Sequence, residues 1–286
     1  RRVAGSEPPS VGPELAEGSS MSDKSGSEDE LERLLAARTT AHRLDAAAPM
    51  RSVVELEAWL EDRGLALVSA RSAVPNATEA IVGGPIEGSW WGHREGSRIY
   101  RLLSALQQGD AGFIDLALVD GKRTLISPRL FPVAQALAAD LGRRSRVIDG
   151  LNDRARGLLA ALDDGRVVRS DDSELSGKAG RAARMALESG LLARSVSIHT
   201  ASGRHASLLE RYGDPVVGVE VGAASAAAGL PALLAAALRA AVVAQQQDVE
   251  KWLRFVEPDR RLRSQATGQL SARTIKAGSR TWLTLS

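Results

Sequence analysis

Three cations on one short segment carry most of the chemistry this chain advertises. In Lys178–Ser189 the basic residues Lys178, Arg181 and Arg184 recur at the spacing of one helical face. Ala179, Ala182, Ala183, Ala186 and Leu187 fill the opposite arc, which predicts a core-facing stripe behind a cationic front. A helix of this kind suits the major groove, where Arg can hydrogen-bond a guanine edge with two donors and Lys or Arg can neutralise phosphate. Downstream, Arg194, His199, Arg204 and His205 flank Thr200-Ala201-Ser202-Gly203, a turn between two apolar runs. That predicts a basic hairpin able to touch phosphate or the minor groove. The other reading of these cations is a solvated face that keeps the protein dispersed.

A second chemical feature is Ser89-Trp90-Trp91-Gly92-His93, just before a predicted helix. Trp90 and Trp91 are either a stacking platform for a base or ligand, with His93 at a helix N-terminus, or a core anchor and its cover. Arg143, Arg144, Arg146, Arg154 and Arg156 form a further basic cluster, read either as an extension of a phosphate track or as a solvated linker. Asp171, Asp172 and Glu174 are read as helix-capping carboxylates rather than a catalytic group.

Several classes are excluded or unsupported. The chain has no cysteine, so thiolate metal sites, disulfides and Cys nucleophiles are out. The two hairpin histidines lack a third or fourth ligand at a suitable spacing, and no metal site is expected. No Gly-rich phosphate loop or Ser-centred elbow occurs, so no cofactor is expected and no catalytic residue is identified. No uninterrupted apolar stretch long enough to span a bilayer and no secretory leader are read, which predicts a cytoplasmic protein with no membrane partner. Charge is uneven: residues 1–49 carry a net −3 and residues 251–286 a net +6, pointing to an anionic partner.

The elements that must position these groups read as α+β, mainly helical. Residues 1–49 form a Gly/Ser/Pro/Glu-rich disordered tail, with a short helix from about residue 28 to 44. Residues 50–141 form an α+β module: a helix from Val53 to Gly64, a strand at 65–69, helices at 75–82 and 94–108, a hairpin about Asp120-Gly121, and a helix at 128–141. Residues 142–215 follow as helices at 152–162, 170–176 and 178–189 and a hairpin, the layout of a winged helix-turn-helix. Residues 216–286 supply one long Ala/Leu helix, Pro231–Phe255, and a basic segment ending in a strand.

Residues 152–212, together with Trp90-Trp91-Gly92-His93 and Ser127-Pro128-Arg129-Leu130-Phe131-Pro132, resemble bacterial proteins related to the AlkZ-type winged-helix DNA glycosylases. The resemblance implies winged helices, tandem if the helix and hairpin of the first module are a second such unit, a double-stranded DNA partner and, in the glycosylases themselves, excision of alkylated or crosslinked bases. Those enzymes use a Gln-x-Gln or Gln-x-Asp pair that residues 50–180 do not contain. Gln107-Gln108 lacks the spacing. Gln245-Gln246-Gln247 has it, but falls on the late Ala-rich helix, where a polar helical face accounts for it. The expectation is a DNA-binding protein, either a regulator or a non-catalytic relative of these enzymes; the alternatives are a DNA glycosylase and a protein-interaction module.

Overall fold

The architecture is that of a computed structural model, which describes residues 20–46, 48–109, 111–172, 175–199, 205–213 and 223–286. One plan recurs along the chain: a helix, a short strand, a helical or turning link, a second long helix and a hairpin. The short strand always pairs with the hairpin's last strand.

In the first unit α2 (Val53–Arg63) starts where the Ser52 side chain accepts from the Glu55 amide and stops at Gly64. β1 (Leu65–Leu67) follows, then α3 (Ala77–Val82), whose Asn76 cap accepts from the Thr78 amide, and α4 (Gly96–Gln108). β2 (Ile114–Val119) and β3 (Lys122–Ile126) close the unit. Asp120 and Gly121 turn between them at φ 53° and 67°, the left-handed pair that a tight two-residue hairpin needs. The sheet order is β1-β3-β2, with Leu65 opposite Ile126 and Leu116 opposite Thr124.

Two linking helices come next, α5 (Phe131–Ala139) and α6 (Leu141–Asp149). The second unit has α7 (Asp153–Asp163), β4 (Val168–Arg169), α8 (Gly177–Ser189), β5 (Ala193–His199) and β6 (His205–Arg211), in the order β4-β6-β5. Among the described residues, 170–172 and 175–176 are not helical, against the helix expected over 170–176. Instead Arg169 is in a strand, and Asp172 accepts from the Arg169 amide and closes a turn. Asp171 pairs with Arg169 at 3.0 Å, so these carboxylates hold a strand end rather than cap a helix; Glu174 lies outside the described residues.

The C-terminal region departs further from expectation. The predicted helix Pro231–Phe255 is interrupted: α9 (Ala223–Ala241) ends at Val242, whose φ of 65° takes the chain out of the helix, and Pro231 lies inside α9. β7 (Ala244–Gln245), α10 (Gln246–Trp252), α11 (Arg260–Gly268), β8 (Ala272–Ala277) and β9 (Arg280–Leu285) complete a third unit with the order β7-β9-β8. An all-Ala/Leu surface gives no local stop signal, so the break comes from packing: Val243 is buried against Leu31 and Ile275.

Burial divides these units unequally. One cluster joins the first and third: Leu65, Leu116 and Ile126 with Leu233, Leu234, Leu238 and Val249, and with Ala134 and Leu137 of α5 between them. The second unit keeps its own core of Leu158, Leu159, Leu162, Leu187 and Leu209. The expected N-terminal tail is partly structured. α1 (Ser20–Ala41) lies against β8, buries Leu31 and is tied down when the Trp59 Nε1 donates to the Ala41 carbonyl at 3.0 Å. No helix among the described residues is long and apolar enough to cross a membrane.

Candidate nucleic-acid interface

α8 begins after Ser176 and ends at Gly190, whose amide returns to the Ala186 carbonyl. Its buried positions are Gly180, Ala183, Leu187 and Ser189, while Ala179 and Ala182 are exposed. The expected alanine stripe is therefore rotated. Alanines look alike from either side, and the phase is set by Leu187, which joins the second unit's core. Lys178 and Arg181 face solvent, with no ion pair among the described residues. Arg184 does not join them. It is half-buried, reaches Glu188 one turn on at 3.6 Å, and lines a cavity of about 200 Å³ between β2 and the second unit.

Asp115, Arg123, Glu188, Arg194 and Ser195 share that cavity. Burial raises the Asp115 carboxyl above the ordinary range, against the opposing pull of its Arg123 partner. Arg194, expected on the basic hairpin, is held by Glu210 across the ribbon at 2.6 Å and is not an open cation. His205 stands opposite His199 at the end of the described ribbon, and Arg204 lies outside the described residues.

The arginines before α7 are structural. Arg143 is almost fully buried and donates to the carbonyls of Leu137, Ala138, Gly190 and Val256 at 2.6–3.2 Å. Desolvation pushes its guanidinium down to about 10. Arg144 is buried and donates to the Tyr212 carbonyl at 3.1 Å, and Arg146 pairs with the buried Glu257 at 2.5 Å. Arg154 and Arg156 are exposed, with Arg156 bonded to the Asp149 carbonyl. The cluster therefore gives no phosphate track through Arg143, Arg144 or Arg146.

Sequence reasoning passed over equivalent helices elsewhere. α4, which holds α8's place in the first unit, carries Arg98 and Arg101; α11, in the third, carries Arg260, Arg261 and Arg263. Arg101, Arg260 and Arg261 are exposed, whereas Arg263 donates to the Glu250, Glu257 and Pro258 carbonyls. In α4, α8 and α11 together Glu188 is the only carboxylate. α2 is the opposite, with Glu55, Glu57, Glu61 and Asp62 against Arg63. The signal was present in the sequence as cations with a single acid among them, but which helices correspond is visible only from the recurring plan.

Ahead of α4, Trp90–Gly92 form a single 3-10 turn. Trp90 is half-buried against the first unit's core, and Trp91 stacks on it with centroids 4.0 Å apart. The His93 Nδ1 accepts from the Glu95 amide at 3.2 Å, so His93 shapes the turn. Gln245 and Gln247 are not on the Ala-rich helix. They sit at the β7–α10 junction, where the Gln247 Nε2 donates to the Gln245 Oε1 at 2.7 Å. Among the described residues no three His, Asp or Glu side chains gather as a metal site. In comparison with known proteins, the chain matches no family model, no curated protein and no solved structure.

Proposed function

We propose that the chain binds double-stranded DNA through winged helix-turn-helix units in which α4, α8 and α11 are the groove-facing helices. The helix, strand, link, helix and hairpin order supports this, because the second long helix of such a unit is the one that enters the major groove. The observation that carries the reading is the segregation of charge: cations, with Glu188 as the lone acid, on the three corresponding helices, and acid-rich sequence on α2. Solvated charge spread for dispersal alone would have no reason to follow the structural repeat. A DNA partner places the protein with the chromosome in the cytoplasm.

Binding of the full chain to a random duplex of about two helical turns tests it. Affinity should fall steeply as salt rises, by close to one order per tenfold salt for each phosphate neutralised. Replacing Arg101, Lys178, Arg181 and Arg261 together by Ala should flatten that slope. Retention that is absent at low salt, or unchanged in the variant, rejects the assignment.

A second reading, excision of alkylated bases, is favoured by the Gln245–Gln247 pair and by the resemblance to the AlkZ-type enzymes. It requires abasic sites to form in alkylated duplex DNA and to vanish in Gln245→Ala. No release above background leaves binding alone.

A further inference from the structure

The chain has only five Trp, two Tyr and three Phe, yet three of these rings meet on one exposed site. Trp91 stacks on Trp90 at an interplanar angle of 24°, and Tyr100 lies 6.0 Å from Trp91, tilted by 38°. Trp90 is seated against the core, but Trp91 remains 67% exposed, so an indole face is open to solvent. Leaving that much apolar ring in water is unfavourable, and here it lies beside two further rings.

The turn that presents it is well built. The Ser89 side chain accepts from the Trp91 amide, and the His93 amide donates to the Trp90 carbonyl at 3.1 Å. Gly96 is required beneath it, because a Cβ there would stand 3.0 Å from the Trp90 carbonyl oxygen and 3.2 Å from that of Trp91. The surroundings are cationic. Arg94 and Arg101 are exposed, and Arg98 lies between them, paired with Glu95 at 2.9 Å. A flat open π-face set among arginines matches one chemistry: an unpaired nucleobase with its phosphates alongside.

We infer that Trp91 is a stacking platform for an unpaired base of DNA held along α4. The inference rests on the DNA-binding reading above and deepens it. Bases of intact duplex are paired and stacked between neighbours, so an indole can stack only on a base in a single-stranded stretch or swung out of the helix. Trp91 therefore adds affinity for DNA with an unpaired base and adds none for continuous duplex.

The test uses the full chain with three 20-mer DNAs: a continuous duplex, the same duplex with a 5-nucleotide single-stranded overhang, and a duplex with one unpaired central base. Lengths are of about this order, chosen to give one or two stacking positions. Trp91→Ala should weaken binding to the overhang or unpaired-base DNA by on the order of tenfold and leave the continuous duplex unchanged. Trp91→Phe should restore most of the difference, and the unpaired-base DNAs should quench intrinsic tryptophan emission more than the continuous duplex does. Equal binding of all three DNAs by Trp91→Ala and the parent overturns the platform while leaving duplex binding intact. Absence of binding to every DNA at low salt overturns both. A parent that sediments as a dimer and a Trp91→Ala variant that sediments as a monomer would show the ring covered by a second copy, and would also overturn it. Because Trp91 is exposed, the variant's melting temperature should match the parent's and keep the comparison valid.

Discussion

Arg143, Arg144 and Arg146 look in sequence much like Lys178, Arg181 and Arg184, yet the fold buries or pairs the first three and leaves Lys178 and Arg181 open to solvent. The first set sits where α5 ends and α6 begins. The last carbonyls of a helix lack internal partners, and Arg143 supplies donors to Leu137 and Ala138 of α5, to Gly190 after α8, and to Val256. One guanidinium thus pins the linking helix α5 to the second and third units. Of the second set, Lys178 and Arg181 lie along the outer side of a helix that buries Gly180, Ala183, Leu187 and Ser189, and Arg184 turns aside into the cavity. A cation's role here follows from whether orphan carbonyls lie within reach, not from how many cations are neighbours in sequence.

The largest effect should come from Arg143→Ala. It strips four carbonyls of their donor in a buried place, a change expected to cost about 3–5 kcal/mol of stability. Denaturant unfolding measures it directly. Arg143→Lys should recover only part, since an ammonium cannot reproduce the planar fork. A fully stable Arg143→Ala protein that had lost DNA affinity would reverse the contrast between the two sets.

His42 extends the contrast to a titratable base used internally. Its ring is buried, its Nε2 donates to the Ala240 carbonyl at 3.0 Å, and burial pushes its pKa down to about 4. The unfolded chain takes up the proton near the usual 6.5, whereas the folded chain resists it. Stability should be full above pH 6.5 and fall as the pH drops toward 4, by about 3 kcal/mol from this group. Thermal melts across that window should show a shallower acid limb for His42→Gln. An unchanged limb would mean that the ring is not holding α1 against α9.

For the outward set, Lys178→Ala with Arg181→Ala should leave unfolding within about 0.5 kcal/mol of the parent. The same pair should reduce the log–log salt slope of duplex binding by about two. Titrations at several salt concentrations decide it, and a loss of affinity with an unchanged slope would mean the two cations are not at phosphates.

Helix and hairpin positions in the first two units were legible because capping residues and turns are local: Ser52, Asn76 and Asn152 accept from amides at helix starts, and Asp120-Gly121 turns the first hairpin. Of the third unit only the closing strand, β9, was legible. The unit's boundary is Val242, a β-branched residue in the left-handed region, held there by Val243 packing on Leu31 and Ile275, contacts more than thirty residues from it along the chain. The burial of Arg143 was hidden for a similar reason, since the carbonyls that receive it come from three separate places along the chain. At the candidate site the charge was visible, but the phase of α8 was not, and that phase decides the fate of Arg184.

Arg184 gives the smallest and sharpest test. In sequence it belongs with Lys178 and Arg181; in the fold it points into the cavity beside Asp115 and Glu188. Its contact with Glu188 is long, at 3.6 Å, and runs with the cation N-terminal to the acid, the weaker order on a helix. Its Nε is buried without a hydrogen-bond partner, so removing the side chain sacrifices little that is well made. Arg184→Ala should therefore change stability by about 0.5 kcal/mol or less. Unlike Arg181→Ala, it should leave both duplex affinity and the salt slope where they were. A slope that falls by about one on losing Arg184 would mean that this guanidinium leaves the cavity for a phosphate when DNA binds, and α8 would then present all three of its cations to the nucleic acid.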